Sequence, residues 1–130
     1  MKINEYVEKS KSYMVMPGNM DSMGNVIDTE TKNELMIGVS IHRDVYSKTG
    51  YVSNEDAPEE LHACVCSLLE QIHEMAIIKT VLLKPEMVYG PICDGEEPTP
   101  ELVRYSNMAL CALNEVLKGI IFEQKENQMI

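Results

Sequence analysis

Thiols and imidazoles are the side chains in this sequence best suited to ligate a soft metal or to act as nucleophiles. They stand at Cys64, Cys66, Cys93, Cys111, His42, His62 and His73. The cysteine spacing holds no Cys-x-x-Cys pair, so neither a zinc ribbon nor a thioredoxin-like redox motif is encoded. Residues three, four, seven and eleven apart share a helix face. A helix opening near Pro58 therefore aligns His62, Cys66 and His73, with Glu59 and Glu70 beside them. His62 and Cys66, with Cys93 from a later loop, make a candidate site for zinc or iron. The plainer reading of that stripe is a partly solvated face on which Cys66 fills a small space. Cys64 lies nearer the apolar stripe and reads as core. Cys93, within Pro91-Ile92-Cys93-Asp94, is either an accessible thiol or a loop anchor. Cys111 is a candidate reactive thiol, on the side of the last helix that also carries Arg104, Asn107, Asn114 and Lys118.

Other chemistry is poorly represented. Asp44, Asp56, Glu59, Glu96 and Glu97 form no acid–base pair that the sequence alone brings together. The glycines are too scattered for a phosphate-binding loop, and His42, on the polar face of its strand, reads as solvated. An enzyme is not expected.

These residues depend on a short series of elements. Ile3, Tyr6, Val7, Ser10, Tyr13 and Met14 recur at helical spacing, and Pro17-Gly18-Asn19 ends that helix in a turn. Asn25-Val26-Ile27 can start an edge strand. Ile37, Val39 and Ile41 alternate with Gly38, Ser40 and His42, the period of a strand with one buried face; with Val45–Ser53 it forms an antiparallel hairpin. A helix then opens at Ala57-Pro58-Glu59-Glu60, with Asp56 placed to cap it, and carries the apolar stripe Leu61, Val65, Leu68, Leu69, Ile72 and Met75. Lys84–Pro91 reads as a turn or two of helix ended by Gly90-Pro91. After the acidic, proline-rich loop Asp94–Pro100, Thr99 caps a last helix that buries Leu102, Ser106, Ala109, Leu113, Val116, Leu117 and Ile120. The order predicts an α+β fold: a small antiparallel sheet of about three strands with helices packed on one face, residues 1–130 forming one domain.

Charge narrows the partners. Twenty-one acidic residues oppose 11 basic ones, a formal charge of −10 that repels nucleic acid and anionic membrane surfaces. The first residues lack the apolar core of a targeting signal, and no apolar run approaches a membrane span. A cytoplasmic protein with reduced thiols is therefore expected. Ten methionines beside one phenylalanine and no tryptophan imply a core filled by thioethers and aliphatic chains, or else a Met-rich binding surface.

Several local motifs resemble, in the same order, the NifU/IscU-type iron–sulfur cluster scaffold family. Met16-Pro17-Gly18-Asn19-Met20 is similar to the family's Asn-Pro-Arg-Asn-Val/Met turn, with glycine for arginine. Pro85–Pro91 is similar to its short helix ending in a Gly-Pro-like step, and Ser106, Asn107, Ala109, Ala112 and Leu113 match its last helix. The resemblance implies three cluster cysteines. The first belongs to a Cys-Gly-Asp step before the second strand, where this chain has Lys32-Asn33-Glu34, so Lys32 and Glu34 stand at that position. The second opens the long helix, at Glu59. The third lies in a His-Cys-Ser step that reads Arg104-Tyr105-Ser106 here. A thiolate binds iron; a phenol and a guanidinium are poor substitutes. The resemblance thus implies a scaffold fold without the usual ligands and no cofactor. The alternative is a zinc or iron–sulfur site on the displaced donors His62, Cys66 and Cys93. A cysteine desulfurase or another iron–sulfur assembly protein is the partner so implied, and a structural homodimer is the remaining alternative.

Overall fold

Alternation along Glu34–His42 sets the architecture. This strand, β2, lies between β1 (Ser22–Ile27) and β3 (Val45–Ser53) in a three-stranded antiparallel sheet ordered β1-β2-β3. The computed structural model describes the backbone of residues 1–128 and the side chains of residues 1–120. Leu35, Ile37 and Val39 are fully buried on one face of β2, as the period of two requires. Their cross-strand partners include Gly24 and Tyr51, opposite Ile37. On the other face Gly38 stands between Met23 and Gly50. The hairpin turns through Arg43 and Asp44 alone, both at positive φ (53° and 64°), the two-residue geometry whose twist matches paired strands. A bulge between Ser40 and Ile41 re-registers the strand ends, so that Ile41 pairs with the fully buried Tyr46.

Helices cover the apolar face. α1 (Ile3–Ser10) packs on α2 (Glu59–Ile72), and α2 and α4 (Pro100–Gln128) lie against the sheet, with α3 (Pro85–Cys93) beside them. The expected α+β arrangement is the one observed. α4 rests closely on β1 because the contact is built from small residues. A Cβ on Gly24 would overlap the Ala112 carbonyl oxygen and stand 2.8 Å from both Glu115 Cβ and Val116 N. Ser22 Oγ donates to the Val116 carbonyl at 2.8 Å. All seven residues expected on the buried stripe of α4 are buried. Leu102 N donates to Thr99 Oγ1 at 3.2 Å, the expected cap.

Four expectations need correction. Asp56 does not cap α2; it accepts a hydrogen bond from Asn54 Nδ2 at 2.7 Å, and the helix begins one residue past the extended Pro58. β1 is longer than its Asn25-Val26-Ile27 core and starts at Ser22. α3 does not stop at Gly90-Pro91 but continues to Cys93. Pro91 lacks the N–H that would serve the Met87 carbonyl, and α2 supplies the missing donor: Gln71 Nε2 reaches that oxygen at 2.8 Å, and Ser67 Oγ reaches the Val88 carbonyl at 2.7 Å. Finally, methionines do not fill the core. Among the described residues only Met108 joins the buried set, whereas Met14, Met20, Met23 and Met87 are exposed.

Candidate functional site

Three chain segments converge at one end of the sheet: the β1–β2 turn, the β3–α2 connection and the start of α4. Asp28 organises the first. Its Oδ1 accepts the N–H groups of Glu30 (3.0 Å) and Thr31 (3.4 Å), a turn in which the side chain mimics backbone. Lys32 follows at φ 65° and donates its N–H to the Asp28 carbonyl at 2.8 Å. Arg104, on the first turns of α4, closes on this turn with both ends of its guanidinium fork. Nε meets Asp28 Oδ2 at 2.6 Å, and Nη2 meets Asp28 Oδ1 at 3.2 Å and Glu30 Oε2 at 2.6 Å.

Beneath that clamp, Asn33 is 7% exposed and its amide is fully used. Nδ2 donates to Thr31 Oγ1 and to the Tyr105 hydroxyl, each at 3.0 Å; Oδ1 accepts from Asn54 Nδ2, also at 3.0 Å. Asn54 Oδ1 in turn accepts the Glu34 N–H at 2.9 Å. Tyr105 is 5% exposed and its ring belongs to the hydrophobic core. The three segments are thus tied by neutral hydrogen bonds over a buried ring, with one ion-pair clamp at the rim.

The Arg104 guanidinium holds the Asp28 carboxyl well below the usual carboxylate range. A depressed folded-state pKa adds stability above the unfolded value, near 4, and that stability is lost as pH falls through the folded value. Arg104→Leu is therefore expected to weaken the protein at neutral pH, and the gap to the parent should narrow as the solution is taken to about pH 2. Urea unfolding across that range checks this; a pH-independent gap would assign the effect to packing of the arginine stem. Arg104 is partly exposed, so screening keeps the effect modest.

The positions at which the resemblance implies ligands do not assemble into a metal centre. Lys32, Glu34 and Glu59 are exposed, the last on the first turn of α2, while Tyr105 points inward to Asn33. The donors that do meet, an amide and a phenol, are spent on each other and are the wrong type for iron. These residues do not fit an iron–sulfur cluster. Among the described residues no three His, Cys, Asp or Glu side chains come close enough to hold a metal ion.

The displaced donors are separated as well. Cys66 is not on a solvated face; it is completely buried in the layer that α1 covers, and burial pushes its thiol up to about 12. Cys64 is core, as expected: its thiol donates to the Leu102 carbonyl at 3.5 Å and lies 3.4 Å from Ser106 Oγ, and burial pushes it too up to about 12. His62 Nδ1 is 2.6 Å from the Tyr51 hydroxyl, and burial lowers its pKa, favouring the neutral ring. Cys93 closes α3 at 3% exposure, with its thiol pushed upward by burial, which fits the anchor reading. Cys111 is exposed as expected, but the cations placed beside it are engaged elsewhere: Arg104 with Asp28 and Glu30, and Lys118 with Glu115 at 3.1 Å. His42 is exposed at the end of β2.

Sequence reasoning missed Asn33, Asn54 and Asp28. The signal for Asn33 was present: the alternation that turns Leu35, Ile37 and Val39 inward, continued one step back, turns Asn33 inward too.

No family model matches the sequence, and no curated protein does. Solved structures do match. An N-terminal segment of a nitrogen-fixing NifU-like protein from Brucella abortus superposes with a TM-score of 0.64 at 9% identity, covering 88% of this chain and 90% of that one. A protein assigned as an iron–sulfur cluster assembly scaffold for the SUF system, from Fervidobacterium islandicum AW-1, gives 0.67 at 15% identity, covering 87% and 94%. With so few identical residues it is the backbone course that is shared, and this chain has the fold of the NifU-like proteins.

Proposed function

We propose that this chain is a divergent NifU-fold protein that works through protein contacts in iron–sulfur cluster assembly or sulfur transfer, without cluster ligands of its own and without catalysing a reaction. The observation that carries the reading is the Asn33–Tyr105–Asn54 network. Where the resembling family places thiolates, this chain has an inward ring and a satisfied amide. That arrangement ties the end of the fold together and spends the amide and the phenol on each other. The likeness to an assembly scaffold supports the pathway, and the partner class that best suits it is a cysteine desulfurase.

Two measurements on one anaerobic preparation test this. Elemental analysis is expected to find iron and zinc far below one equivalent. Titration calorimetry against a cysteine desulfurase is expected to find saturable binding that leaves the desulfurase intact and transfers no persulfide to Cys64, Cys66 or Cys93. Stoichiometric iron, or a stable homodimer that ignores the desulfurase, would sink the proposal.

A further inference from the structure

The face of the sheet turned away from the helices carries an unexplained concentration of sulfur. Residues 14–20 cross that face as a strap, whose C-terminal end is tied to β2. Ser40 Oγ donates to the Asn19 carbonyl at 2.7 Å, Asp21 N donates to the Val39 carbonyl at 2.8 Å, and Asp21 Oδ2 accepts the Ile41 N–H at 2.6 Å. The strap fits because Gly38 and Gly50, paired across β2 and β3, leave a trough; a Cβ on Gly50 would overlap the Val15 carbonyl oxygen. Into that trough the strap lays two thioethers. The point where a Cβ of Gly38 would sit has both Met16 Sδ and Met20 Sδ within 3.2 Å. Met23 is the β1 partner of Gly38 and projects from the same face, with its Cβ about 5 Å from that point by ordinary strand spacing.

Two thioether sulfurs thus rest together on the Gly38 backbone, and a third methionine stands on the neighbouring strand within side-chain reach of them. Met16 and Met20 cover Gly38, a task leucine would serve as well, yet Met20 and Met23 remain 38% and 47% exposed. A thioether is a soft, uncharged donor; hard cations and zinc pass it over for oxygen, imidazole or thiolate, whereas Cu(I) accepts it. The backbone next to Met20 is held by the strap hydrogen bonds and that of Met23 by strand register, and a protein of charge −10 favours a cation. We propose that Met16, Met20 and Met23 form a Cu(I) site on the outer face of the sheet. It is separate from the network around Asn33 and does not rest on the proposed partner. A thioether has no proton to lose, so Cu(I) affinity at this site is nearly constant from neutral to mildly acidic pH, unlike a thiolate or imidazole site, which must release protons to bind.

The test is an anaerobic Cu(I) titration in competition with a chromophoric Cu(I) chelator, at neutral and mildly acidic pH, on protein carrying 13C-methyl methionine. One equivalent is expected to bind with similar affinity at both pH values and to shift the methyl signals of Met16, Met20 and Met23. Met16→Leu/Met20→Leu/Met23→Leu keeps volume and apolarity and is expected to weaken binding about 100-fold. The Met108 methyl signal shows whether the core of that variant is intact. Gly38→Ala, which places a methyl where the sulfurs meet and displaces only flexible side-chain ends, is expected to weaken binding too. Absence of Cu(I) binding, full binding by the triple variant, or loss of binding in Cys111→Ser would each overturn the proposal.

Discussion

Gly24→Ala is expected to lower stability by about 3 kcal/mol, at the upper end of overpacking costs, and to lower Tm by about 10 °C. The reason is the identity of the atoms a new methyl would meet. They are the Ala112 carbonyl oxygen, the Val116 nitrogen and the first side-chain carbon of Glu115, all fixed by α4 itself. Relief requires moving the helix off β1, which opens the contact between Ser22 and the Val116 carbonyl and exposes part of the face that buries Ala112 and Val116. Gly24→Val asks for more room still and should leave no cooperative transition. Gly38→Ala is the internal comparison. Its methyl would meet the mobile ends of Met16 and Met20, and alanine suits a strand better than glycine does, so little loss is expected. Urea unfolding of the glycine variants side by side decides; equal stability for Gly24→Ala and Gly38→Ala would show that α4 yields more readily than its backbone contacts imply.

Tyr105→Cys is expected to cost about 3 kcal/mol, the usual loss when a large buried side chain is cut to a small one. The ring is core, and no neighbouring backbone can collapse into its place without breaking the start of α4. Tyr105→Phe separates the ring from the hydroxyl. It leaves the Asn33 amide with Thr31 as a remaining acceptor and should cost about 1 kcal/mol, a single buried hydrogen bond. The ratio of those two losses separates what the ring contributes from what its hydroxyl contributes. Equal losses would mean that the hydroxyl, and not the ring, holds the three segments together. The cysteine variant is also expected to gain no zinc affinity, because one thiol beside an amide and an exposed carboxylate does not make a tetrahedral set.

Much of the frame could be read from periodicity because burial there is one-sided. β2 alternates, α2 and α4 carry apolar stripes, and each became the element its pattern indicated. The failures share a different physical origin, namely partners far away in sequence. Gly90-Pro91 is a strong local stop, and α3 runs through it with Gln71 of α2 supplying the donor that Pro91 lacks. Cys66 looked solvated because an i,i+4 stripe shows one helix alone and not α1 lying over it. At the candidate site, Lys32 and Glu34 drew attention through the resemblance, but both are exposed while Asn33 between them carries the contacts. Asn54 and Asp28 sit in turns without periodicity, so only the folded chain reveals what they hold. The methionine count was compatible with a core or a surface, and composition has no means of choosing between them.

The seating of α4 on β1 has a consequence for how the molecule is made. Synthesis proceeds from the N-terminus, and the meander is complete at Ser53, yet the helix that covers its first strand starts only at Pro100. At about 5–20 residues per second, the nascent sheet keeps part of its apolar side open to solvent for several seconds. The contact between Ser22 and Val116 spans 94 residues of chain, and closures of that span are slow to form. The sheet therefore reaches its native cover late, only once α4 has been made, and until then its first strand stays open on its apolar side.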